Sequence, residues 1–98
     1  MTPITSDELL KEIKNALGIT GDHLNSTLNI YINEVKEFML DGGVNQKIVD
    51  STSAIGAIAR GVSDLWNYGA GDAQLSTYFI QRVSQLALKE VDEDVIDQ

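Results

Sequence analysis

The sequence predicts an all-α fold, a small bundle of about four helices with a C-terminal extension. Apolar residues recur at helical spacing in four successive stretches. No stretch shows sustained period-two alternation with β-branched enrichment, so strands are not needed to explain the chain. Glycine, aspartate, asparagine and serine gather between the four stretches, where they supply turns and helix caps. At 98 residues, 43% hydrophobic and 22% charged, the chain reads as one globular domain.

The first helix is expected over residues 5–17. Thr5 and Glu8 fit a capping box, in which each side chain satisfies the other's exposed backbone N–H. Leu9, Leu10, Ile13, Ala16 and Leu17 make its apolar face, and Gly18 supplies the left-handed residue that ends it. After a short turn, Asp22 is placed to cap a longer second helix. There Leu24, Leu28, Tyr31, Ile32, Val35, Phe38 and Met39 form one stripe of about 120°. Ile30 and Leu40 fall outside it. Asp41, Gly42 and Gly43 close the helix.

Residues 44–50 read as a short helical turn or the lead-in to the third helix, with Asp50 and Ser51 both able to cap. Ile55, Ile58, Ala59, Val62, Leu65 and Trp66 define the core face of that helix. Ala54, Ala57 and Gly61 line up on an adjacent side, a seam of small residues that lets another backbone approach closely. Gly56 and Gly61 each cost about 1 kcal/mol in a helix interior, which predicts packing tighter than a solvent-facing surface needs. Residues 69–72 end the helix. Ser76 caps the fourth, where Phe79, Ile80, Val83, Leu86 and Ala87 share a face and Tyr78 and Leu88 lie off it. Residues 90–98 hold five acids and no base, with Val91, Val95 and Ile96 between them. The chain therefore divides into a helical domain, 1–89, and an acidic C-terminal tail, 90–98.

Composition excludes several chemistries. There is no cysteine, so no disulfide, thiolate zinc site or thiol nucleophile is available. His23 is the one imidazole and has no evident partner for acid–base work. No Gly-x-Ser-x-Gly turn occurs, and Glu8 with Glu12 reads as a solvated helix face. Asp92, Glu93 and Asp94 lack the glycine and terminal glutamate of a calcium loop. Gly69-Ala70-Gly71 follows a helix rather than a strand and lacks the lysine of a phosphate loop. No catalytic residue, cofactor or metal site is expected. The longest apolar run is three residues, too short for a membrane span or a signal-peptide core. A formal net charge of −8 argues against non-specific nucleic-acid binding.

Interaction features are stronger. Ile30, Leu40, Tyr78 and Leu88 are left over once each helix has filled its core stripe. Together with the small-residue seam they point to a protein that buries surface against other subunits.

The run Gly56-Ala57-Ile58-Ala59-Arg60-Gly61-Val62-Ser63-Asp64-Leu65-Trp66-Asn67-Tyr68-Gly69-Ala70-Gly71, followed by Tyr78-Phe79-Ile80-Gln81-Arg82-Val83, resembles the small head–tail connector proteins of long-tailed bacteriophages, also called adaptor or head-completion proteins. The opening Leu9-Leu10-Lys11-Glu12-Ile13-Lys14-Asn15-Ala16-Leu17-Gly18-Ile19-Thr20 is similar to that family's opening. The resemblance implies a structural virion protein, assembled at the head–tail interface in the host cytoplasm. It implies a homo-oligomeric ring of about a dozen copies with head-to-tail contacts beneath the portal protein. That ring extends the DNA channel, lets DNA pass without specific binding, and docks a tail-side stopper or tail-completion protein. The C-terminal part would reach the portal, here Leu88, Val91, Val95 and Ile96. Subunit packing would fall to Ile30, Leu40, Ala54, Ala57, Gly61 and Tyr78, and the channel wall to Glu34, Glu37 and Asp41. A different class is also open to a chain of this composition: a small acidic regulatory or DNA-mimic protein, whose binding would be salt-sensitive.

Overall fold

A computed structural model describes residues 2–68 and 75–89. The linker at 69–74 and the acidic tail at 90–98 lie outside the described residues. Five α-helices follow in order: α1 (Ser6–Leu17), α2 (Asn25–Asp41), α3 (Gln46–Val49), α4 (Ile55–Tyr68) and α5 (Thr77–Ala87). A 3-10 turn, Thr52–Ala54, runs straight into α4. Among the described residues there is no strand, only an isolated antiparallel bridge between Pro3 and Ser51.

Thr5 starts α1 as the spacing predicts. The Glu8 N–H donates to Thr5 Oγ1 at 3.1 Å, and the Thr5 N–H donates to Glu8 Oε1 at 3.1 Å. The Thr5 backbone N–H, and then its hydroxyl, hold the Glu8 carboxyl below its ordinary pKa, because both interactions favour the carboxylate. Gly18 ends the helix at φ 71°, a conformation that costs a side-chain-bearing residue more.

The start of α2 differs from expectation. Asp22 does not cap it; the helix begins at Asn25 behind Leu24, with no side-chain cap. The cause is Lys14. Its ammonium reaches across the turn to the Gly21 carbonyl, to Asp22 Oδ1 at 3.2 Å and to Asn25 Oδ1 at 2.9 Å. The Asp22 carboxylate is thereby held to the end of α1 instead of turning to the open N–H groups of α2. Between the two cap candidates before α4, Ser51 is the one used: it accepts from the Ser53 N–H at 3.3 Å and donates to the Ile48 carbonyl at 2.8 Å. Asp50 binds Gln46 and Lys36 instead.

Helix α4 is the hub, packing against α1, α2 and α5. Leu9 and Ile13 from α1, Leu28, Val35 and Met39 from α2, and Phe79 and Leu86 from α5 are all buried around Ile58 and Val62. Each large aliphatic or aromatic side chain so buried contributes roughly 1.5–3 kcal/mol of transfer free energy.

Three stripe assignments need correction, the first being Ala16 of α1, which is exposed. Phe38 remains 40% exposed and Ile80 46% exposed, although both share the expected apolar faces. Helix α5 buries only the narrow stripe Phe79, Val83 and Leu86. Ile80 sits one turn before Val83 on the shoulder turned to the end of α2. There Gly42 and Gly43 approach Val83 and Ala87 and offer no side chain to cover it. Leu40 moves the other way: it is half-buried against the core rather than surplus.

Candidate interaction surfaces

Residues 60–66 build a lock between α4 and its neighbours. A Cβ on Gly61 would lie 2.8 Å from Phe79 Cε1 and 2.9 Å from both γ-carbons of Val35. Only a glycine lets α2, α4 and α5 meet this closely. One turn on, Asp64 is buried, and its Oδ2 accepts the Ser76 N–H at 2.9 Å. Arg60 Nε lies 3.6 Å from Asp64 Oδ1 and donates to Ser76 Oγ at 3.3 Å. Ser76 Oγ in turn accepts the Phe79 N–H, capping α5. Asp64 and Arg60 thus fix where α5 begins, on the far side of the 69–74 linker. Trp66 makes an edge contact with Tyr31 of α2, ring centroids 6.1 Å apart.

This lock corrects the small-residue seam. Ala54, Ala57 and Gly61 are buried within the chain, Gly61 against its own α2 and α5, so they present nothing to a neighbouring subunit. The spacing predicted close approach correctly but could not tell an internal partner from an external one.

What the surface does present is separated into two regions. Glu34, Glu37 and Asp41, which lie along one exposed side of α2, come together around a groove of about 350 Å³. Its apolar part is Val35, Phe38, Leu65 and Leu75. Ile30 lies on the same side of α2, one turn before Glu34, and is 64% exposed. The second region is the opposite shoulder of α5. Tyr78 is 62% exposed there, with the Arg60 guanidinium 5.9 Å from its ring centroid. Arg82 and Gln85 follow Tyr78 at helical spacing on that shoulder, and Lys89 lies two residues beyond the end of the helix. Leu88, just past the end of α5, is 85% exposed. Val91, Val95 and Ile96 lie outside the described residues. The pairing of Tyr78 with Arg82, and Lys89 beyond them, was missed in the sequence, although the i, i+4 spacing of the first two was there to be read.

His23 stands exposed in the turn between α1 and α2. Among the described residues no three His, Asp or Glu side chains gather as a metal site needs, and no helix is long and apolar enough to cross a membrane.

The sequence profile of the phage gp6-like head-tail connector proteins matches residues 7–93, which takes in the five described helices but for Ser6 at the start of α1. The chain belongs to that family. No curated protein and no solved structure matches it. A phage head-tail connector is a structural component, so the functional residues to seek here are those that meet other head and tail proteins of the virion. The lock at Arg60, Asp64 and Ser76 fixes the start of α5 against α4, and with it the placement of the helix that carries Tyr78.

Proposed function

We propose that copies of this connector assemble into a closed ring of about a dozen beneath the portal protein, joined head to tail. The ring extends the DNA channel and offers its far side to a stopper or tail-completion protein. No bond is made or broken; the work is to order on an existing ring and create the next interface. The observation that supports this most is the family membership joined to the pattern of exposed side chains. Ile30, Tyr78 and Leu88 remain largely exposed on a domain that has otherwise filled its core. The net charge of −8 suits a wall past which DNA must slide, since like-signed groups give phosphates nothing to hold.

Portal docking falls in this reading to Leu88 and, in the tail, to Val91, Val95 and Ile96. An acidic segment with a few aliphatic anchors orders on a partner, burying the anchors as it does so. Changing Val95 and Ile96 together to aspartate is expected to weaken portal binding by about tenfold or more, because two aliphatic side chains lose their burial. The thermal midpoint of the isolated protein should not move. Normal portal binding by the double variant would remove the tail from the docking surface.

A further inference from the structure

We propose that the acid-rimmed groove on α2 of one copy receives the Tyr78, Arg82 and Lys89 row of α5 from the next copy. This rests on the ring reading above and gives it a specific subunit contact. The two regions complement one another in charge and in shape. Glu34, Glu37 and Asp41 surround the groove, no lysine or arginine lines it, and none of the three acids has an ion-pair partner among the described residues. Three uncompensated carboxylates around an apolar floor with a part-exposed Phe38 call for a cation carried on an aromatic or aliphatic body.

The α5 shoulder supplies that chemistry. Helix α5 contains no acid at all, in a chain with fifteen. It places the exposed Tyr78 ring, already beside the Arg60 guanidinium, in line with Arg82, and Lys89 follows two residues beyond the helix end. Tyrosine and arginine are the residues that most often anchor protein interfaces. Two other lysines are engaged at home: Lys14 with Asp22, and Lys36 with Asp50. The groove and the row are unlike surfaces: the groove runs along α2, and the row lies on the shoulder of α5 opposite Val83 and Ala87, which face the end of α2. A contact between unlike faces is heterologous, and such contacts repeat around a ring when the rotation closes. The apolar floor is why the three acids are assigned to a protein contact here rather than to the channel wall.

The test is a charge exchange read by native mass spectrometry, with the portal present. Glu37→Lys with Asp41→Lys, and separately Arg82→Glu with Lys89→Glu, are each expected to lower the ring fraction at least about tenfold. All four changes in one chain should restore it, which a merely structural role of these residues would not do. The chain has no cysteine, so Glu37→Cys and Arg82→Cys proteins can be mixed as an independent check; a disulfide-linked pair should form only in the mixture. Unchanged rings in either charge variant, no recovery in the fourfold variant, or a loss of DNA binding in place of assembly by the Arg82 and Lys89 variant would overturn the proposal while leaving the ring intact. Wild-type protein that never forms a ring would overturn the ring reading itself.

Discussion

Replacing Gly61 by leucine is expected to unfold the chain, not merely to block its assembly. Even a single methyl at this position falls 2.8 Å from the Phe79 ring and 2.9 Å from both methyls of Val35. Both neighbours are fully buried, and a β-branched valine has little rotamer freedom with which to withdraw. Overpacking of this kind costs roughly 1–3 kcal/mol, against which alanine recovers up to about 1 kcal/mol of helix propensity. Gly61→Ala should therefore lower the thermal midpoint by roughly 5–10 °C in a domain of this size. Gly61→Leu adds three more carbons to the same site and exceeds what a marginally stable domain tolerates. Gly56 is the control. It lies in the same helix, but a Cβ there meets nothing within 4 Å, so Gly56→Ala should be neutral or slightly stabilising. Circular dichroism melts of the three variants decide the matter. If Gly61→Ala melts as high as Gly56→Ala, the close approach is not what holds α5 in place.

The second large effect is expected at Asp64. Its carboxylate accepts the Ser76 N–H and faces Arg60 while almost fully buried. Asp64→Ala leaves a part-buried N–H without its acceptor and removes the partner of Arg60, a loss of about 1–3 kcal/mol. The damage should be local as well as global. Amide hydrogen exchange across the first turn of α5 should accelerate more than across α1, because the cap at Ser76 loses its support. Asp64→Asn keeps an oxygen for the Ser76 N–H and nearly the same volume, so it should retain most of the stability. Equal losses in the two variants would mean that the charge facing Arg60, rather than the hydrogen bond to Ser76, carries the effect.

Much of the fold was legible because it depends on local signals. The Thr5 and Glu8 capping box, the Gly18 stop and the Ser76 cap each involve residues within a few positions of one another, and all three are realised. Asp22 was misread as a cap because the competitor for its carboxylate, Lys14, comes from the preceding helix. Ile80 was misread because burial on a helix shoulder depends on what the facing element carries, and here that is Gly42 and Gly43. The same limit applies to the small residues of α4. Spacing alone announces that something packs closely on Gly61, and only the fold reveals that the partners are Val35 and Phe79 of the same chain. Ile30, Tyr78 and Leu88 were legible as surface residues for the opposite reason: each falls outside its own helix's stripe, and no other part of the described domain reaches over to cover it.

The central claim is that a small helical domain becomes one segment of a ring on the portal. Electron microscopy of the wild-type chain mixed with its portal tests that most directly. The account predicts a closed collar of identical subunits seated coaxially under the portal. Single copies scattered on the portal, or a chain that stays monomeric and unbound beside it, would contradict the account.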